Sequence, residues 1–340
     1  MIPVNETQLP IARTGAVVGF VLLAVPAVLL FALGALGASF SGQLPIGVGV
    51  LLVGAALIVV GIRHEWRAVR RVPEWRPIDP EESLYITLSI LAGTVATLAG
   101  VVELGLTPVV SAAVVGIVAA ISAPDRAVPA YCGAFVGMTS PLLFVTYWHA
   151  AIAAAVASVV FVLAQPVFHG VGGKLGTTAF VGAVVTVLVT TETFQSDPLP
   201  PSAVVSAVVV VSIVGAIVTF SLQTRTDASP VLASGIVGAV GGVFLPLISE
   251  YGVLLAAAVF SASFAGMSDS ERIPDERWMA VSGLFVGLVV VYTAPYLGGS
   301  GGKLGTIAFG SCLGVYGIVR TIKTVQRQRR IRSFSRRDTT

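Results

Sequence analysis

The sequence predicts an all-α polytopic membrane protein of about 12 transmembrane helices, arranged as two inverted five-helix repeats behind an N-terminal helix pair. Three observations lead there. Of 340 residues, 55% are hydrophobic and only 11% charged, and the mean hydropathy is +0.93, a balance that excludes a soluble globular domain. Apolar stretches long enough to cross a hydrocarbon core follow one another with short connections. A Gly-rich segment then occurs twice in nearly the same form.

The expected spans run 14–38, 46–62, 84–104, 108–122, 130–143, 145–165, 174–191, 202–222, 231–248, 252–268, 278–297 and 303–320. Residues 1–62 hold the helix pair. A charged cytoplasmic loop, 63–83, follows, mixing both signs with prolines. The apolar run at 14–38 is too long for a cleaved signal segment. The spans at 108–143 and 231–268 are short or closely spaced, so each pair also fits a re-entrant hairpin. The 37 glycines lie inside apolar runs without a collagen period, as in closely packed membrane helices.

Orientation follows from the cations, because cytoplasmic loops collect Lys and Arg. With the N-terminus inside and all spans crossing, every Lys and Arg except Lys174 and Lys303 falls in an inside segment. Both termini are therefore expected in the cytoplasm of a multi-pass cell-membrane protein. Eight of the 20 Lys and Arg lie in the last 21 residues, and the basic tail, 321–340, is expected to lie against anionic lipid headgroups rather than nucleic acid.

The duplicated segment reads PVFHGVGGKLGTTAF at 166–180 and PYLGGSGGKLGTIAF at 295–309, with ten of fifteen positions identical. The same offset of 129 aligns Phe135, Gly137 and Met138 with Phe264, Gly266 and Met267. Further back the offset is 122, with Pro108, Val109, Val115, Gly116 and Val118 matching Pro230, Val231, Val237, Gly238 and Val240. The repeats are thus 84–191 and 202–320. An odd number of crossings separates the two motifs, whether or not 231–268 is a hairpin, so the halves are expected to be inverted, as in many secondary transporters.

The motif stands where a Gly-rich connection becomes a helix. Helix N-termini present unpaired N–H groups and partial positive charge, glycine lets a ligand approach the backbone, and Lys and Thr add donors. The expected binding residues for a small ion or organic anion are Gly172, Gly173, Lys174, Gly176 and Thr177 in one copy, and Gly301, Gly302, Lys303, Gly305 and Thr306 in the other. The same residues fit two plainer readings: G-x-x-x-G helix packing with lysines reaching to headgroups, or a cation path lined by glycine carbonyls. A phosphate loop is excluded, since Phe168 and Leu297 stand where its first glycine belongs, and Leu175 and Leu304 where its Ser or Thr belongs.

His169, opposite Gly298, is the candidate for pH modulation. His149, beside Tyr147 and Trp148, reads as part of an interfacial belt, and His64 lies in the loop. Glu103, Glu192 and Glu250 fall at span ends, leaving no buried carboxylate pair for direct proton coupling. Cys132 and Cys312 indicate neither a metal site nor a disulfide, and no cofactor is called for. Without H-E-x-x-H, G-x-S-x-G or paired intramembrane aspartates, an enzyme is not expected. A transport protein, secondary transporter or channel, is the leading expectation. A structural or accessory membrane subunit is the alternative, and a homo-oligomer is compatible with either.

Overall fold

A computed structural model describes residues 8–40, 45–69 and 79–337. Residues 1–7, 41–44, 70–78 and 338–340, with Arg70, Arg71 and Arg76 of the expected loop and the last residues of the basic tail, lie outside the described residues, as do the side chains beyond Arg327 on which the expected headgroup contacts depend.

The described residues form twelve α-helices: α1 (Gln8–Phe40), α2 (Pro45–Val69), α3 (Pro80–Val102), α4 (Pro108–Ser122), α5 (Ala127–Gly137), α6 (Tyr147–Ala164), α7 (Lys174–Thr190), α8 (Ser202–Arg225), α9 (Pro230–Ile248), α10 (Gly252–Gly266), α11 (Glu276–Tyr292) and α12 (Lys303–Arg337). Among the described residues, six helices contain stretches long and apolar enough to cross a membrane: Thr14–Leu36, Pro80–Val102, Tyr147–Ala164, Ser202–Arg225, Pro230–Ile248 and Lys303–Arg327. The described residues form an all-helical structure, with the apolar helices of a membrane protein.

Local chemistry sets the helix starts. Thr107 and Ser229 accept hydrogen bonds from the backbone N–H groups of Val110 and Leu232, and each is followed by proline at the first helical position. Asp79 caps α3 ahead of Pro80 in the same way, and Asp275 accepts from the N–H groups of Arg277 and Trp278. Several boundaries differ from the sequence expectation. The helix of α2 continues past residue 63 to Val69, and α12 continues past 320 to Arg337, because Arg, Gln, Glu, Ala and Lys are good helix formers and neither Gly nor Pro interrupts them. The fifth helix stops at Gly137 rather than 143, ahead of Pro141, and the eleventh at Tyr292 rather than 297, ahead of Pro295, since proline disfavours the helical region for the residue before it.

Burial separates the helices. The apolar window of α12 is 78% buried, against 39–44% for the other five long apolar helices, so α12 is the central element. It packs against α2, α7, α10 and α11, while α1 lies across α2, α6, α7 and α12. Outward faces carry large apolar side chains such as Val210, Val214, Leu247 and Ile248, which suits a surface against lipid.

The connections gather at two ends. At one, Arg126 pairs with Glu82, Arg225 with Glu276, and Arg272 with Glu65. At the other, Tyr147 donates to Glu103 (3.2 Å), and Gln195 and Gly298 form a two-way backbone bridge (3.1 and 2.9 Å).

Candidate functional site

Each motif begins as a loop bent by three left-handed residues: Phe168, Gly170 and Gly173 (φ 53°, 71° and 80°) in the first, and Leu297, Gly299 and Gly302 (φ 53°, 76° and 79°) in the second. These turns fold the chain back into the protein, so α7 and α12 start in the interior. Their first turns cross there. A Cβ on Gly176 would lie 2.5 Å from Gly305 Cα, and one on Gly305 equally close to Gly176 Cα; a Cβ on Gly173 or Gly302 would strike the carbonyl of Gly305 or Gly176. Only glycine allows this backbone-on-backbone crossing.

Hydrogen bonds around the crossing recur at the offset of 129. The Gly172 N–H donates to Ser268 Oγ (2.9 Å) and the Gly301 N–H to Thr139 Oγ1 (3.0 Å). Asp269 N–H donates to Gly170 O (2.9 Å), and Ser140 N–H to Gly299 O (2.8 Å). Cys132 Sγ donates to Leu175 O (3.4 Å), as Ser261 Oγ does to Leu304 O (2.7 Å). The first two pairs of bonds cross between the halves, so each motif loop is held by the residues just after α5 or α10 of the half to which it does not belong. The third pair joins each motif to the α5 or α10 of its own half.

The two lysines turn back from the crossing. Lys174 Nζ donates to Gln165 O (3.3 Å) and Val167 O (2.6 Å), and Lys303 Nζ to Thr293 O (2.7 Å) and Tyr296 O (2.5 Å). These carbonyls belong to the connections out of α6 and α11, where helix-end C=O groups lack partners. Thr177 and Thr306 donate to Gly173 O and Gly302 O, 3.2 Å in each case. The side-chain donors of both motifs thus tie down backbone carbonyls. What remains toward a ligand is the first-turn backbone of α7, whose N-cap Gly173 brings no side-chain cap.

That turn borders a cavity of about 280 Å³ at the arginine-bearing end. Its wall contains Gly172, Gly173, Lys174 and Gly176 of the first motif, with His169, Asp269, and Phe135 and Phe264. Thr177 is buried behind this surface. Gly301, Gly302, Lys303, Gly305 and Thr306 belong to the partner helix of the crossing and do not line this cavity. His169 is at the rim, its ring 87% exposed and Nδ1 3.9 Å from Asp269 Oδ2.

Several residues here carry no sequence motif. Arg272 donates from Nε to His169 O (2.7 Å), grips the buried Glu65 through both terminal nitrogens, and lies 4.8 Å over the Tyr316 ring. It joins the first motif loop to α2 and α12. The matched positions in the first half, 129 residues back, are Ser140 for Asp269 and Leu143 for Arg272, so the opposite end lacks this charged cluster. There Gln195 Nε2 donates to Ser140 Oγ (2.9 Å). Comparison of the two copies position by position is the signal that singles out Asp269 and Arg272; Glu65 and Gln195 lie outside the aligned segments.

Among the described residues, no group of three or more His, Cys, Asp or Glu side chains is placed to hold a metal ion. Compared with protein-family models, with curated proteins and with solved structures, the chain matches none.

Proposed function

We propose that the chain is an integral membrane transport protein, a secondary transporter or channel, carrying a small ion or organic anion between two inverted five-helix repeats. In this reading twelve spans cross the membrane, both termini and the arginine-bearing end are cytoplasmic, and the basic end of α12 lies near anionic headgroups. The observation that carries the reading is the cavity whose wall holds the first turn of α7. A helix N-terminus inside a low-dielectric protein favours an anion, and the first turn of α7 borders this cavity. Lys174 holds the loop carbonyls, so its charge acts from behind the backbone rather than as a direct ligand.

Flux tests this. In reconstituted vesicles, Lys174→Gln and Lys303→Gln are each expected to lower anion uptake by about tenfold, the effect of about 1.4 kcal/mol at the site. The glutamine amide still donates to a loop carbonyl and preserves the turn. Unchanged uptake in both variants overturns the anion reading. The backbone contact of Gly176 with Gly305 favours a second reading, a packing element in a structural or accessory subunit. In that case no variant changes flux, and motif cysteines at Gly173 or Gly302 react only from their own face and without protection by any anion.

A further inference from the structure

Two elements stand at the inner end of the cavity: the crossing of α7 with α12, and the ring pair Phe135–Phe264. The crossing is backbone against backbone, so it opens only if two helices separate. The rings are side chains, and a rotamer change moves a ring without moving a helix. We infer that Phe135 and Phe264 form the gate of the permeation path, an apolar closure between the cavity and the opposite end. This rests on the transport reading above and adds the place where the path is shut.

The arrangement supports the assignment on three counts. Phe135 and Phe264 are matched residues of the two halves, 129 apart, so each half supplies one ring of the pair. Their centroids are 4.5 Å apart at an interplanar angle of 53°. Behind them stand a second matched pair, Tyr131 and Phe260, each centroid within 4.5 Å of its neighbour on the same helix. All four are nearly or fully buried. An ion crossing here would shed water against hydrocarbon, the condition under which apolar constrictions close.

The gate is also coupled to the motifs. The space a side chain on Gly172 would need is filled by Phe264 O, and that on Gly301 by Phe135 O. The backbone behind each ring rests on the motif of the other half. A ligand that shifts either motif loop therefore moves the mount of one ring.

Side-specific thiol labelling tests this. The parent carries Cys132→Ser and Cys312→Ala, which reproduce the residues at the matched positions, Ser261 and Ala183. The reporter is Ser300→Cys. Ser300 lies in the second motif loop, is 8% exposed, and its hydroxyl has no hydrogen-bond partner, so the exchange breaks no bond. A small membrane-impermeant thiosulfonate is applied from the cavity side. Labelling is expected to be slow in the parent and to rise by about tenfold, the effect of lowering the barrier by about 1.4 kcal/mol, in Phe135→Ala and Phe264→Ala. Phe135→Leu and Phe264→Leu keep an apolar closure and are expected to stay slow. Equal rates in parent and alanine variants, or leucine variants as fast as alanine, overturn the gate. If one alanine variant does not reach the membrane, the other reads the same floor.

Nitrate and chloride flux in the same vesicles separates the two readings. Faster labelling with no flux in any variant leaves the closure standing and overturns transport. Flux in the parent with labelling unaffected by either alanine keeps transport and overturns the gate.

Discussion

Removing the Glu65 carboxylate tests what fixes the N-terminal helix pair to the motif. The Glu65 side chain is 4% exposed and that of Arg272 17%, and Arg272 also holds His169 O and stacks on Tyr316. Breaking a buried ion pair from one side costs about 3–5 kcal/mol, because a charge is left without its partner. In Glu65→Gln the guanidinium keeps the carbonyl, the ring and some access to water, which lowers the expected loss to about 2–3 kcal/mol. Arg272→Met leaves a carboxylate buried on α2 with less compensation, so its cost stays near about 3–5 kcal/mol. The double variant has no charge to strand and is expected to lose about 2 kcal/mol less than the sum of the two single losses. The assay is reversible unfolding in detergent micelles for all four proteins of the cycle. Additivity within about 0.5 kcal/mol would refute the argument and reduce the pair to a surface contact.

Other expectations follow from the crossing and from the duplicated bonds. Gly176→Ala puts a Cβ against the Gly305 backbone and is expected to cost about 1–3 kcal/mol, measured as a lower midpoint in the same unfolding assay; stability equal to wild type would mean that the two helices do not cross there. Cys132→Ser keeps the bond to Leu175 O in the manner of Ser261 and Leu304 and is expected to stay within about 0.5 kcal/mol of wild type, whereas Cys132→Val, which cannot donate, loses about 1 kcal/mol. Gln195→Ala removes the side-chain bond to Ser140 but not the backbone bridge to Gly298, so amide exchange at Gly298 is expected to remain slow while labelling of a cysteine at Ser140 speeds up.

The all-helical class was legible from composition and apolar stretches, and the starts of α4 and α9, where a capping Thr or Ser precedes proline, fall within a residue of the expected 108 and 231. Asp79 and Pro80, by contrast, start α3 four residues before the expected 84, inside what reads as a loop. Helix ends were harder. The stops of α5 and α11 depend on prolines several residues downstream, inside runs whose hydropathy stays high. The motif glycines were found as a pair, and their role in a close crossing was among the readings that G-x-x-x-G spacing permits. The direction of Lys174 and Lys303 was not legible, because it depends on a loop that turns inward through three left-handed residues, one of them Phe or Leu. Glu65 and Arg272 lie 207 residues apart, and no local pattern connects them.

The exchange of hydrogen bonds between the halves has a consequence for synthesis. The Gly172 N–H is satisfied by Ser268, 96 residues later in the chain, and Thr139 receives its bond from Gly301 after 162. At roughly 5–20 residues per second, the first motif waits about 5–20 s for its partner, and the end of α5 about 8–30 s. The amino-terminal half therefore enters the membrane with its central loop incomplete. A chain stopped after α7 would present unpaired backbone in an apolar setting, and this nascent form would be the natural target for an insertion chaperone or a membrane protease.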